Sequence, residues 1–311
     1  MCDSVDKCCV GYLAVEHIPV LAKTLAEQIK LRPESVMVDA TVGYGGHSLL
    51  FGKILGPKGL IIGLDVDENC IRKTKVRLKE LACKVIAVRS NFSQISQCLD
   101  QQGIKKVDFI LADLGVCSAQ LADAKMGLSF LHDMPLDMRI DKRLKNTAAD
   151  IVNKTNEKSL ADLIYQFGED RASRRIARFI VEYRRSRAIT TTGQLAIIVT
   201  RALARPRRTG KRKTKIHPAT RTFQALRIAV NNELENLEKL LVQIPQLLKK
   251  NGCAAVISFH SLEDRLVKHN FKHNKENGIY SDITKKVIVP SREEIAANPR
   301  ARSAKLRIAR K

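Results

Sequence analysis

The chain has 311 residues, enough for one large domain or two and for a good buried core. Lysine and arginine number 55 against 32 acids, a formal net charge of +23, which argues against a small neutral substrate and for a polyanion, nucleic acid being the commonest. No apolar run is long enough to span a bilayer, the acid-bearing N-terminal segment is not a secretory signal, and the eight cysteines form no C-x-x-C pair, so reduced thiols and a soluble, intracellular protein are expected.

Residues 1–16 read as a loose tail. His17-Ile18-Pro19-Val20-Leu21 leads into a helical pattern through Ile29. Strand runs follow at 36–41, 60–65, 84–89 and 107–113, with helical patterns between them at 46–55, 67–82 and 92–101. That alternation predicts right-handed βαβ units and a parallel sheet.

The first strand runs into Gly43-Tyr44-Gly45-Gly46-His47, and the second ends on Asp65, 20 residues beyond Gly45. Glycines let a backbone approach a ligand closely, and an acid at the next strand tip takes ribose hydroxyls. No G-x-G-x-x-G is present. Asp39 inside the strand and these glycines suit a ligand without a pyrophosphate, S-adenosylmethionine rather than a dinucleotide. On the turn alone, an ordinary strand-turn-helix needing glycine for positive φ stays open. The fourth strand ends on Asp113-Leu114-Gly115, which would border the same crevice beyond the carboxyl ends of the strands. Phe92, after the third strand, could face an adenine or fill the core.

From 117 to 230 the chain reads mostly helical, with apolar faces at Phe179-Ile180-Val181 and Leu195–Val199. Arg171, Arg174, Arg175 and Arg178 fall at helical spacing. Between Tyr183 and Asn232 there is no acid and there are 13 basic residues. Their densest part is Arg201, Arg205, Arg207, Arg208, Lys211, Arg212, Lys213 and Lys215. Fifty such residues repel one another without an anion, so a nucleic-acid backbone contact is expected there. Strand character returns at 253–259 and at Leu306-Arg307-Ile308. A helical insertion (117–230) in an α/β domain (17–116 and 231–311) is the predicted organisation.

Two polar segments remain. One is Pro135-Leu136-Asp137-Met138-Arg139. The other is Ser258-Phe259-His260-Ser261-Leu262-Glu263-Asp264, where Ser261 is the expected N-cap with Asp264 three residues on, and His260 could face the crevice. His269 and His273 would share a helix face, but no further Cys or His lies near in sequence, and no metal is expected.

Taken in order, these segments resemble the bacterial 16S ribosomal RNA cytosine N4-methyltransferase family, which has mitochondrial relatives. The resemblance rests on 17–21, Gly43–Ser48, Asp113–Val116, Pro135–Arg139, His217–Arg227, Asn231-Asn232-Glu233-Leu234, Ser258–Arg265 and Asn298–Ser303, and covers nearly everything from His17 onward. It implies a Rossmann-like, seven-stranded methyltransferase sheet with an inserted helical domain, and S-adenosylmethionine contacts at Gly45, Gly46, His47, Asp65, Phe92, Asp113 and Gln120. The implied target is a decoding-region cytosine of small-subunit ribosomal RNA, naked or in the small ribosomal subunit. The compartment would be a bacterial cytoplasm or an organelle, and a homodimer is one arrangement open to it. Departures from the family pattern are Asp65-Val66-Asp67, Cys117-Ser118-Ala119-Gln120-Leu121-Ala122, Gly127-Leu128-Ser129-Phe130 and Met134, with a shorter segment between Lys268 and Ser291. The acid or Asn followed by two prolines that many amino-methyltransferases carry after the fourth strand is absent, so Asp137 and His260 become the candidates for orienting the base. The rival from another class is a non-catalytic RNA-binding assembly factor on the same fold; another is a methyltransferase of a different RNA.

Overall fold

The computed structural model describes residues 19–116, 120–121, 123, 125–204 and 217–311. The four apolar runs become β1 (Val36–Asp39), β2 (Leu60–Asp65), β3 (Lys84–Arg89) and β4 (Val107–Asp113), and the C-terminal third supplies β5 (Leu248–Ser258), β6 (Asp282–Ile283) and β7 (Lys305–Arg310). They form one seven-stranded sheet in the order β3-β2-β1-β4-β5-β7-β6. β1 to β5 are parallel, which the strand–helix alternation predicts for the first four. β7 runs antiparallel to β5 and β6, which alternation could not foretell.

Side chains alternate across the sheet. Val38, Ile62, Ile110, Ala254 and Val256 face one core, and Met37, Phe109, Leu111, Ala255, Ile257 and Ile308 face another. The first core is closed by α4 (Ile95–Gln101), α10 (Glu233–Leu247) and α11 (Ser261–Glu276), the second by α1 (Ala22–Gln28) and α2 (Gly46–Gly52). α3 (Glu68–Arg77) packs beside β2 and β3. Burial on both faces explains why these strands read as continuous apolar runs.

Between β4 and β5 lie α5 (Ala148–Lys154), α6 (Glu157–Gly168), α7 (Ser173–Arg184), α8 (Thr192–Leu203) and α9 (Thr220–Asn231), gathered on a separate core that includes Leu160, Ile164, Ile176, Ile180, Leu195 and Leu226. Capping boxes start α5 (Thr147 with Asp150) and α8 (Thr191 with Gln194). α12 (Arg292–Ala297) precedes the last strand.

Several boundaries differ from the sequence reading. β1 stops at Asp39 because Ala40 then donates to Leu111 O and Val42 to Leu64 O, turning the chain from β4 toward β2. The 92–101 helix splits into a 3-10 turn at Phe92–Gln94 and α4. The last parallel strand begins at 248 rather than 253, with a register shift opposite Asp108. α10 was not read from sequence, although Leu237, Leu240, Leu241, Ile244 and Leu247 form its buried stripe. Helix α11 is capped by His260 with Glu263 at N3, not by Ser261 with Asp264. Asp264 instead takes both prongs of Arg307 on β7.

Candidate active site

A cleft of about 1570 Å³ opens at the carboxyl ends of β1, β2 and β4, where ligands of open α/β sheets bind. Its floor is the turn after β1. Gly43 and Gly45 hold φ of 52° and 74°, in the left-handed region, and a Cβ on Gly46 would stand 2.9 Å from Pro19 Cγ. Gly45 N-caps α2 without a side chain, so backbone, not side chain, faces the ligand.

Asp65 sits at the tip of β2 and accepts from Gly43 N–H at 3.0 Å and Asp67 N–H at 2.8 Å. Burial pushes its pKa up to about 6, although those two amides pull the other way. Asp39 is buried and accepts from Ser48 Oγ at 2.7 Å; burial raises its pKa too, against the nearby His47 and the Ser48 bond.

His47 and Asp113 complete this half. His47 Nε2 lies 3.5 Å from Asp113 Oδ2. Among the described residues, both His47 ring nitrogens and Asp113 Oδ1 are buried without a hydrogen-bond partner. Buried polar atoms normally have a partner, which a ligand, ion or water supplies, and both residues line the cleft. Phe92 and Gln120 line it as well, and Gln120 Nε2 donates to Asp67 Oδ2 at 3.3 Å. The turn, a ribose-ready acid, an aromatic face and unspent polar atoms thus share one cavity, a set that fits S-adenosylmethionine.

The opposite wall comes from the helices. Asn231 donates to Met138 O and accepts from Ile140 N–H. Asn232, at φ 50°, is the single joint between α9 and α10. Arg227 on α9 clamps both oxygens of Glu233 on α10 at 2.8 and 2.9 Å. Beside them, Glu263 is buried and lines the cleft. It accepts from Phe259 N–H at 2.8 Å, and its other oxygen lies 3.3 Å from His260 Nε2. Burial pushes Glu263 up, but His260, the Phe259 amide and Arg227 outweigh it and hold the carboxyl below its usual range. Among the described residues, Glu233, His260 and Glu263 are the one group of three that could hold a metal ion, yet both Glu233 oxygens are already taken by Arg227.

The model of the MraW methylase family matches residues 14–311. The chain belongs to the MraW methylase family. Relatives named ribosomal RNA small subunit methyltransferase H are close in sequence. That of Clostridioides difficile is 43% identical over 314 residues, covering 95% of this chain and 98% of the relative. That of a Cyanothece species is 48% identical over 295 residues, covering 95% and 94%. Among solved structures, an rRNA methylase from Streptococcus thermophilus aligns over 93% of each chain at 12% identity with a TM-score of 0.41.

In this MraW-family chain, of the cofactor residues expected from sequence, Gly46, His47, Asp65, Phe92, Asp113 and Gln120 line the one cleft, and Gly45 is the N-cap next to Gly46. The base-orienting candidates part company. His260 adjoins the cleft through Glu263, whereas Asp137 lies outside its lining. Arg139 Nε and Nη2 and Lys142 Nζ fill the Asp137 oxygens at 2.7, 3.0 and 2.9 Å. The expected RNA contacts Arg205, Arg207, Arg208, Lys211, Arg212, Lys213 and Lys215 lie outside the described residues. Arg171, Arg174, Arg175 and Arg178 are exposed on or just before α7, and Arg201 is exposed on α8. Glu263, Glu233 and Asn231 were missed as site residues. Their signal in the sequence was position alone, inside two segments dense in polar side chains.

Proposed function

We propose that this chain methylates the exocyclic N4 amine of a decoding-region cytosine in small-subunit ribosomal RNA, using S-adenosylmethionine. The observation that carries the reading is that the glycine turn, Asp65, His47 and Asp113 line the same cleft as Glu263. S-adenosylmethionine, when bound, supplies an electrophilic methyl group.

The chain's own residues do the rest. Gly43–Gly46 present backbone to the cofactor, Asp65 takes ribose hydroxyls, and His47 and Asp113 gain partners on binding. The cytosine amine is a poor nucleophile because its lone pair is delocalised into the ring. An acceptor at its N–H localises that pair, and Glu263, held ionised, is placed to be that acceptor. His260 Nδ1 accepts from Glu263 N–H, while its Nε2 lies 3.3 Å from Glu263 Oε1 without a hydrogen bond between them. His260 therefore positions Glu263. Much of the rate comes from holding the amine in line with the methyl group. The base leaves its stack or comes from a single-stranded loop to enter the cleft. We assign the helical stretch 117–230, with its acid-free basic segment, to holding the RNA.

Transfer of labelled methyl from S-adenosylmethionine to small ribosomal subunits lacking the modification tests this, with mapping of the labelled nucleotide. Label on N4 of one decoding-region cytosine is expected; label elsewhere, or none, overturns the reading. In the same assay Glu263→Gln should lower kcat about 10²–10³-fold with unchanged cofactor affinity, and His260→Asn about tenfold with a shifted pH profile. Asp137→Asn should lower stability and spare turnover of the folded fraction. Full turnover in both Glu263→Gln and His260→Asn would remove the pair from the mechanism.

A further inference from the structure

We infer that the end of the sheet opposite the cleft is a second RNA-phosphate contact face, which engages the assembled small ribosomal subunit away from the target nucleotide. The inference rests on the ribosomal RNA substrate proposed above.

Three neighbouring strands bring five lysines to that end. β4 begins just after Lys105 and Lys106, the register shift of β5 carries Lys249 and Lys250, and antiparallel β7 delivers Lys311 to the same edge. Lys105, Lys106 and Lys250 are exposed. Two of the ammonium groups are fixed to carbonyls instead of carboxylates: Lys106 donates to Gln246 O, and Lys311 to Pro245 O at 2.7 Å and Leu248 O at 3.2 Å. Lys249 alone has an acid, Asp108 at 2.7 Å, and that carboxylate also takes Val36 N–H. Among the described residues the other four make no ion pair.

Burial and then the neighbouring Lys106 charge hold the Lys311 ammonium below the usual lysine range, so these charges sense one another. Chains commonly interleave acids on such an edge; here the anchoring carbonyls hold the charges in place without neutralising them. A phosphate backbone supplies the missing anions and releases its counterions in return. Lys106 and Asp113 are seven residues apart along β4, about 23 Å at the usual rise of a strand, and they face opposite ways. A nucleotide in the cleft and its immediate neighbours therefore do not reach this edge, whereas a folded subunit offers other phosphates to it.

The test uses the full chain carrying Lys105→Glu and Lys250→Glu, two exposed positions remote from the cleft, with Lys105→Gln and Lys250→Gln as the charge-only control. Methyl transfer is measured on small subunits and on a short RNA holding the target cytosine. Subunit binding is measured by filter retention against salt. The expected result is a rise of about tenfold in KM for subunits, unchanged kcat, an unchanged KM for the short RNA, and a salt slope shallower by about 2. The Gln pair should move the same way by less. Equal effects on both substrates, or no effect on subunits, overturn the proposal. So does loss of binding only to anionic vesicles or to an acidic protein. If the wild type binds subunits but transfers no methyl, while the double variant still flattens the slope, the catalytic reading fails and the contact face stands. If transfer proceeds and the double variant matches the wild type in KM and slope, the face fails and the catalytic reading stands.

Discussion

A carboxylate buried away from water keeps its proton longer, even where two amides favour its ionised form. For Asp65 this means a folded pKa of about 6 against an ordinary 3.8. Because the folded value is raised, the protonated form stabilises the unliganded fold. That contribution is full below the unfolded value and is lost as pH rises through about 6. In the proposed cofactor role ribose hydroxyls donate to the ionised form, so cofactor affinity should run the other way and weaken about tenfold from pH 7 to pH 5. Titration calorimetry of the wild type and Asp65→Asn checks this; a flat wild-type profile would refute it. At this scale the strand ends were readable: β2 and β4 close on Asp65 and Asp113, as their runs indicate. The sequence misled where two neighbours could do one task. His260 and Ser261 can both accept from a helix N-terminus, and a shift of one residue exchanged the cap for the crevice. Asp137 has local partners: Arg139 and Lys142, two and five residues on, bond to its carboxylate.

Among the elements, Gly127 supports the loop that leads into the helical core. Its φ is 63°, and a Cβ there would lie 2.1 Å from Pro135 O and 3.0 Å from Asp137 N. Both contacts are backbone and cannot swing aside. Gly127→Ala should therefore cost about 3 kcal/mol or more in chemical denaturation, and a loss below 1 kcal/mol would contradict the strain. The parallel strands were legible because burial on two faces leaves an apolar run with no alternation to misread. α10 was not, although its stripe has regular 3-4 spacing, because its first turn is acidic and polar and Pro245 falls near its end. β7 was placed by its apolar residues, but its antiparallel direction depends on partners far away in sequence.

At the scale of the molecule, polar contacts among the described residues join the sheet half to the helical core. Arg227 holds Glu233 across the α9–α10 joint. Glu169, in the left-handed region at the end of α6, takes Ser261 Oγ and Arg265 Nη2 from α11. The Arg227 and Glu233 side chains are 20% and 12% exposed, so removing the cation strands a mostly buried carboxylate. Arg227→Met should cost about 3 kcal/mol. Probes in the sheet and in the helical core should then unfold at different denaturant concentrations, where the wild type should give one transition. Coincident transitions in the variant would show that apolar contact alone couples the two cores. This coupling was invisible in the sequence, since Arg227 and Glu233 belong to different helices and meet only because Asn232 turns the chain between them.

The pairing of β4 with β5 has a bearing on biosynthesis. Asp108 and Lys249, on adjacent strands, are separated by 141 residues. At roughly 5–20 residues per second on the ribosome, the open edge of β4 waits roughly 7–28 s for its partner. For that interval a row of unpaired backbone groups on an apolar strand is available to any passing chain. The helical core, complete once α9 has followed α6 by about 60 residues, brings its two ends together before β5 emerges and shortens the loop that β5 must close. A nascent chain of this family would need its helices to fold first, and a helical-core lesion such as Gly127→Ala would then appear in cells as aggregation during synthesis before it appeared as lost activity.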